Sequence, residues 1–145
     1  MLPRLDDLLE YQHEKVVRSY IRTFNCDESV ARGLFSDMLR YLWLARKHTL
    51  DRLANPEDDA LQFQLVMHEE MRQIDNMWHN FIIYTHDYMK FCDDYFGEYL
   101  HHVPDMADAI SQTNEEFAVD MEKYLSYVYD RLGEETVCRW FAMHV

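Results

Sequence analysis

Asp75-Asn-Met-Trp-His-Asn-Phe-Ile-Ile-Tyr-Thr-His-Asp-Tyr-Met-Lys-Phe-Cys-Asp-Asp-Tyr-Phe-Gly97 runs directly into Glu98-Tyr-Leu-His-His-Val-Pro104. At about 100° per residue, Ile74, Met77, Trp78, Phe81, Thr85, Tyr88, Cys92 and Tyr95 fall on one side of a helix. His68, Arg72, Asp75, His79, His86, Lys90 and Asp93 fall on the other. The first set reads as a core stripe. The second is a polar face, normally solvated. Helical period through this segment makes the chain all-α. The stretch also gathers costly residue types in a chain with only three Gly, three Pro, three Cys and three Trp. Any chemistry is expected here.

Working outward, the chain reads as a single domain over residues 1–145, a bundle of about five helices around a long central helix. The scarcity of Gly and Pro favours helix over a turn-rich β fold. The first helix is expected from about Leu5 to Phe24, on the spacing of Leu5, Leu8, Leu9, Val16, Tyr20 and Phe24. Asp27 is a good N-cap for a second helix ending near Arg52. Asn55-Pro56 reads as the start of the third and central helix, running to Phe96 with a break near Glu69-Glu70. Gly97 ends it, and residues 97–112 are irregular, with Pro104 as a stop. Thr113-Asn-Glu-Glu116 is a capping box for a fourth helix that stops at Leu132 before Gly133. Glu134 to Phe141 forms the fifth. Phe81, Ile82, Ile83 and Tyr84 point four ways on one cylinder, which predicts a spine buried all round at that level.

The net charge is −13. Residues 1–55 carry nine Lys/Arg against eight Asp/Glu, whereas residues 56–145 carry five against nineteen. That acidic part repels phosphate backbones and anionic lipid surfaces, so nucleic acid and membrane are poor partners and a protein with a basic surface is a better one. Cys26, Cys92 and Cys138 are odd in number and far apart, which argues for reduced thiols. No signal-peptide-like or membrane-spanning apolar run occurs. Together these features point to a cytoplasmic protein.

Asp75 and His79, four apart, share one helical face. A carboxylate beside an imidazole sets its tautomer for metal binding or for acid–base work. Geometry limits what can join them. On one straight helix His79 and Cys92 are roughly 20 Å apart, and His79 and His86 about 10 Å. A compact site therefore takes one of two forms. Either His101 or His102 folds back to Asp75 and His79, or Cys92 pairs with His101 or His102 near the turn. The candidate ligands are Asp75, His79, His101 and His102, for a divalent metal such as zinc or iron. No CxxC or HExxH signature is present. The competing reading makes the two loop histidines helix caps and Cys92 a small core residue. Eight aromatics between Trp78 and Tyr99 also suit a pocket for an apolar or haem-like ligand, although at this spacing they are more often plain core.

The pattern Asp75-x2-Trp78-His79-x2-Ile82-x2-Thr85-x2-Tyr88-x2-Phe91-Cys92-x4-Gly97-x4-His102-x-Pro104 resembles the core motif of the glycine-rich domain-containing protein-like family. The likeness extends more loosely to Tyr41-Leu42-Trp43 and to Gly133 through Phe141. It implies a compact helical domain in which Trp78, His79, Cys92 and His102 occupy motif positions, and no established reaction. This chain has no glycine-rich tail, so a role attached to one does not carry over.

Two functions fit. The first is a protein-interaction module of the adaptor, inhibitor or immunity-protein kind, resting on the acidic surface. The second is a metal-binding protein or metal-dependent enzyme, resting on the Asp/His cluster.

Overall fold

The computed structural model describes residues 2–103 and 113–141, and Pro104 lies outside them. Among the described residues the fold is all-α, with seven helices and no strand. They are α1 (Leu5–Leu8), α2 (Glu14–Phe24), α3 (Glu28–Ala54), α4 (Arg72–Ile82), α5 (Thr85–Phe96), α6 (Asn114–Leu132) and α7 (Glu134–Phe141). Helix α3 is the long central element. It buries Phe35, Met38, Leu39, Leu42 and Leu44 and meets α1, α2, α4 and α6.

The expected first helix is two helices. After α1, residues 9–13 leave the helical path, and Tyr11 packs its ring against Phe91 at 4.7 Å and against Phe35, Phe81 and Tyr95. His13 then caps α2, its Nδ1 accepting the Val16 backbone N–H at 3.2 Å. Nε2 therefore carries the proton and donates to Asp87 Oδ2 at 2.7 Å, tying α2 to α5. Histidine is not a common N-cap, which is why the boundary does not show in the sequence.

The expected helix from Pro56 to Phe96 is also broken. Asn55 closes α3 rather than opening a new helix, its side-chain amide donating to the Asp51 carbonyl. A 3-10 turn at Asp59–Leu61 follows, then residues 62–68 without regular structure, then a second 3-10 turn at Glu69–Met71 that leads into α4. Side chains take over the carbonyls that a helix would use. His48 bonds Leu61 O at 2.9 Å, and the Tyr124 hydroxyl donates to Val66 O at 2.8 Å. Phe63 inserts against His48 at 4.3 Å between ring centres. Burying one aromatic and satisfying its neighbouring carbonyls from α3 and α6 outweighs the local helical preference.

A second break falls at Ile83-Tyr84. Four consecutive apolar residues do not form a buried collar: Ile83 is 72% exposed, while Phe81 is fully buried. The junction resets the helical phase, so α4 and α5 are separate helices that fold against one another.

The boundaries with clear capping chemistry stand where expected. Asp27 occupies the N-cap of α3, although its side chain makes no capping bond. Gly97 ends α5 in the left-handed region at φ 75°, where a side chain is strained. Thr113 Oγ1 accepts the Glu116 N–H at 3.1 Å to cap α6. Helix α7 is locked to α3 by Arg139, which grips the buried Asp37 carboxylate through two bonds of 2.8 and 3.1 Å. Arg40 adds a third at 2.8 Å.

The 97–103 segment is held against the bundle by a buried network. The Trp78 indole N–H donates to the Tyr88 hydroxyl at 3.0 Å, and that hydroxyl donates to Leu100 O at 2.6 Å. The Leu100 N–H points at Cys92 Sγ, 3.5 Å away, and Glu98 pairs with Arg46 of α3. Burial pushes both the Tyr88 phenol and the Cys92 thiol above their usual pKa. Both groups therefore stay neutral, Tyr88 as a hydrogen-bond relay and Cys92 as a small acceptor.

Two stability experiments follow from this packing. Tyr88→Phe removes both hydroxyl bonds and leaves the Trp78 indole and the Leu100 carbonyl without partners. It is expected to cost about 2–3 kcal/mol, read from the denaturant midpoint. A loss below a few tenths would show that the network is not holding the segment. The buried His48 has its pKa lowered, because burial penalises the imidazolium more than the Leu61 carbonyl favours it. The unfolded chain then binds the proton more readily. Stability from His48 is complete above its unfolded value of about 6.5 and falls as pH drops below it. His48→Gln should flatten the fall in melting temperature between about pH 7 and pH 5. An unchanged slope would contradict this assignment.

Candidate functional site

Helix α4 presents Asp75 and His79 one turn apart on its polar face, as the sequence spacing requires. The pinned 97–103 segment brings His102 to them. His102 Nε2 lies 2.6 Å from Asp75 Oδ1, and His79 Nε2 lies 3.7 Å from the same oxygen. The two imidazole rings are 4.3 Å apart between centres. A ligand atom from each of Asp75, His79 and His102 lies within 4.8 Å of the others. Of the two arrangements open on the sequence, the folded-back loop is the one formed. The Trp78 ring backs His102 at 4.2 Å, setting the imidazole plane from behind.

The site is half sheltered. The side chains of His102 and Asp75 are 15% and 25% exposed, while that of His79 is 54% exposed. Because a carboxylate oxygen only accepts, the His102 Nε2 carries the hydrogen in this arrangement. Two donors each about 2.0–2.1 Å from a tetrahedral ion sit roughly 3.3 Å apart. The two Asp75 distances, 2.6 and 3.7 Å, bracket that separation, and all three ligand atoms lie within 4.8 Å of one another. Two imidazoles and one carboxylate are a donor set suited to zinc or to ferrous iron, with coordination positions left open. An ion at Nε2 would require the other neutral tautomer, with the hydrogen on Nδ1.

The remaining sequence candidates are placed elsewhere. His101 is exposed and stands edge-on to Tyr99 at 4.7 Å, outside the three-residue cluster. His86 is on α5 with its side chain 93% exposed, beside Asp87. Cys92 is fully buried under Leu100 and supplies no ligand. Thr85 is not in the core stripe. It opens α5 at the exposed junction beside Ile83, because the break shifts the helical phase on which that stripe was drawn. Trp78, Tyr88 and Cys92 are buried as the stripe requires, and Gly97 turns the chain out of α5 toward the site.

A cavity of about 160 Å³ opens beside the cluster. Asp75, Trp78 and His102 line it together with Tyr41, Ala45 and the Leu65–Met67 segment. Residues 65–67 escape the sequence reading because their role depends on the interruption of the expected helix there. Tyr41 alone carried a trace, in the Tyr41-Leu42-Trp43 extension of the motif.

Residues 62–123, under half of the chain, match the model of the UCP032817-like family, which is uncharacterised. That span contains Asp75, His79 and His102 together with Trp78, Tyr88, Cys92 and Gly97. No curated protein and no solved structure shows significant similarity to the chain.

Proposed function

We propose that this protein binds a divalent transition metal through Asp75, His79 and His102. The observation that carries this reading is the convergence of three ligand atoms within 4.8 Å from two chain segments 27 positions apart. The support around it is specific. Trp78, Tyr88, Leu100, Cys92, Arg46 and Glu98 all act to fix the loop that carries His102. Three protein donors leave room for a water or substrate on the ion, and a bound water is the source of hydrolytic or oxidative chemistry at such centres. The pattern resembling the glycine-rich domain-containing protein-like motif runs through all three donors, Asp75, His79 and His102.

Zinc and ferrous iron titrated into the chelator-treated protein should bind one ion per chain, measured by calorimetry and elemental analysis. His79→Ala is expected to weaken binding at least tenfold without loss of fold, because His79 is exposed and its contacts are a loose approach to Asp75 and the His102 ring. Asp75→Asn should do the same, while His86→Ala and His101→Ala should change little. Failure of stoichiometric binding, together with a melting temperature indifferent to chelator, would leave the Asp75–His102 pair as a purely structural clasp.

A second reading, an interaction module for a basic protein surface, draws on the first turns of α6. Residues 113–119 are all exposed there, setting Phe117 and Val119, each 51% exposed, beside Glu115 and Glu116. Exposed apolar side chains interspersed with carboxylates suit a basic amphipathic partner. Such a complex should weaken steeply as salt rises toward about 0.5 M and on the double change Glu115→Lys and Glu116→Lys. Binding that ignores salt would rule out this electrostatic mode.

A further inference from the structure

We infer that the cavity beside the cluster is a binding site for a small neutral aromatic alcohol, of the size and chemistry of phenol. Its volume is about 160 Å³, and an apolar cavity of about 150 Å³ is enough to hold benzene. The walls are apolar for most of their extent, with Ala45, Leu65, Met67 and Trp78 among the lining residues. Tyr41 and Trp78 stand 5.8 Å apart between ring centres at 53°, a tilted pair that offers ring faces and edges to a third aromatic. The polar side chains in the lining are those of Asp75, His101, His102 and Tyr41.

The charge of the lining selects the ligand. None of the residues forming the cavity is Lys or Arg, and one is a carboxylate. A carboxylate or phosphate ligand would meet Asp75 without a counter-charge, and would be desolvated at a cost nothing repays. A hydroxyl fits, since it donates to the Asp75 carboxylate while its ring stays among the apolar walls. Ala45 is the smallest side chain in the wall and leaves the space that the ring takes.

This inference goes beyond metal binding and stands on the cavity alone, so its test is run with chelator present and is independent of the zinc titration. Phenol is titrated into the full chain and followed by amide and indole NMR signals, with acetate and inorganic phosphate as comparison ligands. The expected result is saturable shifts centred on Ala45 and the Trp78 indole N–H for phenol, with none for the two anions. Ala45→Phe, which fills the cavity, should weaken phenol at least tenfold. Should that variant fold poorly, Val103→Trp serves instead, since Val103 lies on the cavity rim, 65% exposed, and the larger ring narrows the entrance. Absence of saturable shifts, phenol binding unchanged by both variants, or tighter binding of either anion would overturn the inference.

Discussion

The hydroxyl of Tyr88 is the point on which the functional end of this protein turns. It accepts from the Trp78 indole and donates to the Leu100 carbonyl, so one buried oxygen connects α4, α5 and the segment after Gly97. A buried hydroxyl is costly unless both its capacities are used. Here both are, and the cost of misplacing the loop is the loss of two buried bonds at once. His102 sits two residues beyond Leu100. Its approach to Asp75 is therefore a consequence of the core rather than of loop chance.

The same economy runs through the other half of the cavity. Residues 61–68 depart from the helix because α3 and α6 supply donors to their carbonyls and a slot for Phe63. Phe63 fills the core, and Leu65 to Met67 line the space beside Trp78. The site is thus assembled from an α-helix, an irregular strap and a pinned loop, the last two secured by side-chain hydrogen bonds to backbone carbonyls. Helix-to-helix packing alone would not leave such a gap.

Much of the organisation was legible from residues with strong local preferences. Thr113 with Glu116, Gly97 and Gly133 mark helix ends because their chemistry satisfies terminal backbone groups or allows positive φ. The buried residues of α5 follow from their three-and-four spacing. The breaks at His13, at residues 55–71 and at Ile83-Tyr84 were not legible. In each, a long-range contact outweighs a local preference: Tyr11 among the rings of α3, α4 and α5, Phe63 against His48, and Phe81 buried while Ile83 points to water. The period assumed for one helix then misplaced Thr85, which depends on phase carried across a break.

The sequence by itself determined the all-α class, the helix ends at Asp27, Gly97, Thr113 and Gly133, the burial of Tyr88 and Cys92 on α5, and the one-turn pairing of Asp75 with His79. These depend on spacing and local backbone chemistry, which a helix expresses without outside help. Only the tertiary structure decided between His101 and His102, removed His86 and Cys92 from the cluster, and opened a cavity next to it. Those outcomes depend on where a loop lands after Gly97. That is set by hydrogen bonds between residues ten or more positions apart, from Trp78 to Tyr88 and from Tyr88 to Leu100, and a helical period carries no information about them.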